Sequence, residues 1–258
     1  MNVSNASFSF DVCALTDKGR IRSHNEDSII ARPDLGIFAV ADGMGGHSAG
    51  DVASAIIVDE LASLGVAVSA EDQRARLLQR LEQAHQRIHA HSVAAGGATV
   101  GATIAAFLVH EGEFSAVWAG DSRIYLMREG LLTPLTRDHS EVAMLVAAGS
   151  MTEEEARRSG RRNVITRAIG IGAEPAPEKV TGVIRDKDRI LVCSDGLTEY
   201  FTDPELSERL AAPEAPDTVA ASLIAETLRR GAKDNVSVVL IDCKARIPVP
   251  DAEEWLDV

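Results

Sequence analysis

Cysteine is scarce in this chain. Cys13, Cys193 and Cys243 are odd in number, far apart, and each set in an apolar segment. That pattern excludes a disulfide framework and predicts reduced core thiols. No stretch approaches the roughly 18 apolar residues of a membrane span, and the opening MNVSNASFSF has neither the basic nor the sustained apolar region of a secretory leader. These gaps predict a cytoplasmic protein with no membrane association. Positive charge is short as well: 26 Lys and Arg face 39 Asp and Glu, a net charge of −13. Such a balance argues against an unassisted nucleic-acid or anionic-membrane surface and favours cations as partners. Internal repeats and low-complexity segments are also missing.

What remains is an ordinary globular composition, 45% apolar and 25% charged over 258 residues, enough to bury one sizeable core. A single domain over residues 1–243 is expected, with an acidic, Pro-containing tail over 244–258. Alternation predicts strands at Phe8 to Thr16, from Ile29, at Val100 to Val109 and at Phe114 to Trp118, the last joined by Gly120-Asp121-Ser122 to a strand at Ile124 to Met127 as a hairpin. Strands at Val180 to Ile184, Arg189 to Ser194 and Val236 to Ile241 follow. Helical spacing predicts Asp51 to Leu64, with Asp51, Asp59 and Glu60 in water, a helix from about Glu71 to His91, and a late helix ending at Gly231. His85 and His89 are four apart, but position 86 is Gln, so a zinc-protease motif is incomplete and a solvated flank is expected.

The chain is organised around Phe38 to Gly50, FAVADGMGGHSAG. A buried-strand pattern stops at Asp42-Gly43, and the glycines allow close backbone approach. Taken alone, this stretch fits a glycine turn with a solvated Asp equally well. The grammar recurs, however, at Ile190 to Gly196 (ILVCSDG), at Gly120-Asp121 and at Asp234-Asn235. Asp is rarely set against a core without a partner, because an unpaired buried charge is costly. Four such residues predict one converging acidic site for hard divalent cations, Mg²⁺ or Mn²⁺ rather than structural zinc. Two such cations suit hydrolysis of a phosphate ester.

Five motifs then occur in order: Arg22-x-x-Asn25-Glu26-Asp27, Asp42-Gly43-Met44-Gly45-Gly46-His47, Gly120-Asp121-Ser122-Arg123, Ser194-Asp195-Gly196 and Asp234-Asn235. Together they resemble the metal-dependent protein phosphatases of type 2C, and the DGMGG form resembles the bacterial Ser/Thr branch. The resemblance spans residues 8 to 243. It implies an α+β fold, a four-layer αββα sandwich of two antiparallel β-sheets flanked by helices. It also implies hydrolysis of phosphoserine and phosphothreonine in proteins by a water bridging two Mn²⁺ or Mg²⁺ ions, reversing a bacterial Ser/Thr kinase.

By motif, Asp42 would bridge the two core ions with the Gly43 carbonyl on one, and Asp195 and Asp234 would hold the other. Asp121 with Asp195 would form a weaker third site. Glu26 and Asp27 match residues that bind metal-held water, Arg22 matches the arginine that grips phosphate, and Asn235 would orient Asp234. Residues 136–172 correspond to a flap beside the site. The implied partners are phosphoproteins and a cognate Ser/Thr kinase, with the protein a monomer. The alternative is a pseudophosphatase acting as a binding or sensor module.

Two departures stand out. Met44 replaces the leaving-group His of eukaryotic relatives, with His47 as a candidate substitute acid. Arg158-Ser159-Gly160-Arg161 stands where many bacterial members have His-Pro. Arg157, Arg158, Arg161, Arg162 and Arg167 form a basic cluster, readable either as a helix end favoured by its dipole or as a contact that steers anionic substrates.

Overall fold

The computed structural model describes residues 7–45, 49–161 and 163–246. Its strands form two antiparallel sheets. One has the order β1 (Phe8–Asp17), β11 (Val236–Ala245), β10 (Arg189–Cys193), β7 (Arg123–Arg128), β8 (Leu131–Pro134). The other runs β2 (Asp27–Arg32), β3 (Ile37–Gly45), β5 (Ile104–His110), β6 (Glu113–Ala119), β9 (Glu178–Val183), with β4 (Val100–Ala102) on the end of β3.

The central strands read as continuous apolar runs because both of their faces are covered. On β3, Phe38 and Val40 face the other sheet, meeting Ile190, Val192, Val239 and Ile241. Ile37, Ala39 and Ala41 face outward, under α1 (Gly50–Ala62) and α2 (Ala70–Ala94). On the β1-β11-β10-β7-β8 sheet Leu191, Val238 and Leu240 face outward, beneath α6 (Asp203–Leu210) and α7 (Pro216–Arg230). The result is the expected four-layer αββα sandwich.

This period of two also sets up the site. Asp42 follows Phe38 and Val40, Asp27 precedes Ile29 and Ala31, and Ser237 precedes Val239, so all three point into the space between the sheets at one end. Among the described residues no helix is long and apolar enough to cross a membrane. Cys193 and Cys243 are buried and Cys13 is half-buried, all as free thiols.

Several sequence expectations are corrected. Residues 120–122 do not close a hairpin: β6 and β7 lie in different sheets, and Gly120, at φ +119°, turns the chain across from one to the other. The Val100 to Val109 run breaks at Thr103, whose N–H donates to the Asp42 carbonyl (2.8 Å). Glu60 is not solvated, since it is 9% exposed and accepts from Arg87 (2.7 Å). His85 is buried and accepts the Gly170 N–H on Nδ1 (3.0 Å), so it docks the end of the flap segment on α2. The last strand runs past Ile241 through Lys244 and Ala245, which pair with Ser9 and Phe8, so the tail begins later than its composition implied. Residues 247–258, Trp255 and Leu256 included, lie outside the described residues.

Periodicity also missed β8, α5 (Asp195–Thr198) and α6. The signal for α6 was available: Thr202 and Glu205 form a capping box with Pro204 in the first turn. Thr152 and Glu155 do the same for α4 (Glu153–Arg158).

Candidate metal centre

The centre is assembled by close backbone contact before any side chain is considered. Asp27 and Asp42 are direct cross-strand partners in β2 and β3, a register that like charges disfavour. Contrary to expectation, Asp42-Gly43 is not a strand end. β3 continues through Gly43, Met44 and Gly45, which pair with Ala102, Gly101 and Val100. Gly43 is needed for space rather than for a turn, because a Cβ there would lie 2.1 Å from the Gly50 carbonyl oxygen and 2.6 Å from that of Glu26. Gly196 has the same role, since its Cβ would lie 1.9 Å from the Asn235 carbonyl oxygen. These contacts press the segments bearing Glu26, Asp42, Asp195 and Asp234 together.

Side chains complete the framework. Asp27 is buried and accepts on Oδ2 from Ser194 Oγ (2.9 Å) and Ser237 Oγ (2.6 Å), while its Oδ1 has no hydrogen-bond partner. The two serines are site residues that sequence reasoning did not single out for this role. Ser237 could have been found from its parity with Val239 and Ile241. Thr103 Oγ1 lies 2.7 Å from Ser122 Oγ and 3.3 Å from the Asp42 amide, which donates to it, linking the Asp42 strand to the Asp121 turn. The Glu26 carboxylate sits over the start of α1, 2.7 Å from where a Gly50 Cβ would be, a position the helix dipole favours for an anion.

Asn235 contacts Asp234 and does more besides. Its amide N–H does donate to Asp234 Oδ1 (2.9 Å), but its side chain braces the loop that carries Arg22 and Glu26. Nδ2 donates to the carbonyls of Lys18 (2.9 Å) and His24 (3.0 Å), and Oδ1 accepts the Glu26 N–H (2.8 Å). We expect Asn235→Ala to cost about 1–3 kcal/mol by stranding these groups. A thermal melt checks this, and an unchanged melting temperature would contradict the bracing role.

Five carboxylates meet here, and they repel one another. Burial, then the charges of Asp27, Asp195, Asp121 and Asp234, hold Asp42 well above the usual carboxylate range. Burial and then Asp121, Asp234 and Asp27 do the same to Asp195. Asp27 is pushed up to about 6, chiefly by burial and against the lowering effect of its two serine bonds. Asp121 is pushed up to about 7 by burial and then Asp138, with Arg123 opposing. Arg123 is in turn held by Asp138 through a bidentate pair (2.8 and 2.7 Å). The expected ligands are thus gathered, yet among the described residues no three His, Cys, Asp or Glu side chains form a finished ligand set. The group fits hard cations nonetheless: the donors are all oxygen, one buried carboxylate oxygen is unpartnered, and ionising these acids requires a compensating positive charge.

The remaining predicted residues are placed as follows. Arg22 is half-exposed and donates to Asp234 Oδ2 (2.7 Å). His47 lies outside the described residues. The flap, with α3 (Glu141–Ala147) and α4, joins the centre through His139: its Nδ1 accepts the Gly120 N–H (3.2 Å), its backbone N–H donates to the Gly120 carbonyl (2.9 Å), and its ring stacks on Trp118. The three described side chains of the basic cluster are each paired with a glutamate. Arg158 pairs with Glu154, Arg161 with Glu141 and Arg167 with Glu178, so its far field is weaker than the sequence implied. The side chain of Arg157, and Arg162, lie outside the described residues.

The family model described as Protein phosphatase 2C matches residues 20–240. A serine/threonine protein phosphatase, PstP, of Mycobacterium tuberculosis is 39% identical over 230 residues. The match covers 89% of this chain and 44% of PstP, so the chain spans under half the length of that relative. The serine/threonine phosphatase stp of Listeria monocytogenes is 32% identical over 235 residues, covering 88% of this chain and 93% of the relative. A crystal structure of the PstP catalytic domain in complex with two manganese ions superposes with a TM-score of 0.83 at 36% identity, covering 92% of this chain and 100% of that one.

Proposed function

Since the chain belongs to the protein phosphatase 2C family, we propose that it is a metal-dependent protein phosphatase acting on phosphoserine and phosphothreonine. The observation that carries this reading is the mutually repelling set of buried Asp27 and Asp121 with half-buried Asp42 and Asp195, which needs cations to ionise. The two manganese ions of the PstP structure support Mn²⁺ here, with Mg²⁺ as the chemical alternative.

Asp42 and the Gly43 carbonyl would hold the first core ion, and Asp42, Asp195 and Asp234 the second, with Asp121 and Asp195 offering a weaker third position. When bound, such ions lower the pKa of a water and align it for in-line attack on phosphorus. The chain's own residues do the rest. Ser194 and Ser237 fix Asp27 with one oxygen turned free, so Asp27 and Glu26 can accept from water in the centre. Arg22 spends part of a five-donor fork on Asp234, and its remaining N–H groups suit a phosphoryl oxygen. The role of leaving-group acid is proposed for His47.

The domain expected over 1–243 is extended to the end of β11 at Ala245 and read as one catalytic domain with 136–172 as its flap. The buried free thiols support a reducing, cytoplasmic setting, where a Ser/Thr kinase would supply the substrates and the protein would act as a monomer. The pseudophosphatase alternative is disfavoured, because every motif aspartate, Asp27, Asp42, Asp121, Asp195 and Asp234, is present in the sequence.

Turnover of a phosphothreonine peptide with Mn²⁺, abolished by chelator, is the expected result. No turnover by metal-loaded protein would overturn the reading. Arg22→Ala is expected to raise KM for the peptide by roughly tenfold or more, the scale of a charge-assisted contact of about 1.5–3 kcal/mol. Arg22→Lys should recover only part, since lysine lacks the planar fork. An unchanged KM in Arg22→Ala would move the phosphate contact elsewhere.

A further inference from the structure

The flap returns to the sandwich along one short segment, Ile169-Gly170-Ile171-Gly172, which is fastened on two sides. On one side Ile169 and Ala102 of β4 exchange both backbone hydrogen bonds (3.0 and 2.9 Å). Ala102 is also the cross-strand partner of Gly43 in β3, so the flap exit is two backbones away from a proposed cation ligand. On the other side Gly170, at φ +91°, lies so close to α2 that a Cβ there would be 2.3 Å from Ile88 Cγ2. Its N–H donates to Nδ1 of His85 (3.0 Å).

That bond exists in one protonation state only. A backbone N–H cannot accept, so Nδ1 must offer its lone pair, and the single proton of the neutral ring sits on Nε2. A second proton would set two N–H groups face to face and strand both, in a place where His85 is 4% exposed. Among the described residues, the charged or titratable groups acting on the ring are Glu82 and His89 of its own helix. β4 and residues 169–172 present only Val, Gly, Ala and Ile, and Asp59 and Glu60 of α1 are held by Arg87. Burial is the main influence and holds the ring below its ordinary value; Glu82 and the Gly172 backbone oppose it, and His89 adds to it.

We propose that His85 is a positioning residue that acts as a proton-operated latch: neutral, it holds the flap exit on β4 in line with Gly43, and protonated, it lets the segment go and turnover falls. The turnover clause rests on the phosphatase reading above; the latch itself does not. Because the folded ring titrates below the ~6.5 of a free imidazole, the latch is complete above that pH and is lost as pH falls through the folded value.

Hydrogen exchange with Mn²⁺ in excess tests the latch directly. After correction for intrinsic exchange, the amides of residues 169–172 should lose about tenfold in protection between pH 8 and pH 5, the scale of one buried hydrogen bond, while the amides of β5 stay protected. His85→Asn supplies an amide oxygen in place of Nδ1 that takes up no proton in this range, so it should keep the protection at both pH values. His85→Ala should lack it at both, and if that variant does not fold, wild type and His85→Asn decide between them. With a small aryl phosphate and Mn²⁺, kcat of His85→Asn relative to wild type should be near one at pH 8 and rise several-fold toward pH 5, since displacement at a distance is felt at the reacting atoms. Protection that ignores pH, a loss that persists in His85→Asn, or a flat kcat ratio would overturn the proposal and leave the phosphatase reading standing. Wild-type protein without turnover at any pH would overturn that reading, while exchange would still decide the latch.

Discussion

Asp195→Ala is expected to remove tight Mn²⁺ binding and turnover together, with turnover falling roughly a thousandfold, the scale of losing a main electrostatic contact to a transition state. Asp195 faces the charges of Asp121, Asp234 and Asp27 at once and is shared by two of the proposed cation positions. Asp121→Ala is expected to differ. Asp121 stands on the crossover between the sheets and is tuned mainly by burial and by Asp138, so its removal should leave two ions bound tightly and mainly lower turnover. Calorimetric Mn²⁺ titration of both variants decides the matter. Loss of tight binding in Asp121→Ala, or its retention in Asp195→Ala, would contradict these assignments.

The second large effect is an exchange of stability for function. Asp27 and Asp121 carry folded-state pKa values of about 6 and about 7, above the ~3.9 of an unfolded aspartate. Between about pH 4 and 7 the metal-free folded state therefore holds more protons than the unfolded state, and its stability falls as pH rises through that window. Metal-free protein should melt higher at pH 5.5 than at pH 8. With Mn²⁺ the dependence should invert, because the ligands must be deprotonated and binding weakens as pH falls. Asp42→Asn removes the most crowded charge while keeping its shape. At pH 8 it should raise the melting temperature of metal-free protein by several degrees, at roughly 2–4 °C per kcal/mol for a chain of this size, while turnover is lost. A lower melting temperature for metal-free Asp42→Asn would show that the carboxylates are not in conflict.

The layered sandwich was legible in the sequence only through motif resemblance. Periodicity located most strands, but apolar runs such as Phe38 to Ala41 carry no record of which sheet covers which face, so β6 and β7 were read as a hairpin rather than a crossing. The site aspartates were legible because Asp beside an apolar run is chemically costly. Their supports were not: Ser237 looks like any small strand residue, and the side chain of Asn235 bonds to residues more than 200 positions away. The role of Gly43 was misread for a related reason. A glycine in sequence does not distinguish a turn from a place where two backbones touch. The flap arginines showed as a positive run, while their glutamate partners, Glu141 and Glu178, lie outside it. α6 was missed although its capping box was present.

The crowded carboxylates of this centre need bound cations to ionise. Titrating Mn²⁺ into metal-free wild-type protein at pH 6.5, in two buffers of different ionisation enthalpy, tests it most directly. The account predicts about two tightly bound ions and a net release of protons, because Asp42 and Asp195 are held well above the usual carboxylate range before binding, with the release shrinking toward pH 8.5. Tight binding with no proton release, or no binding at all, would contradict it.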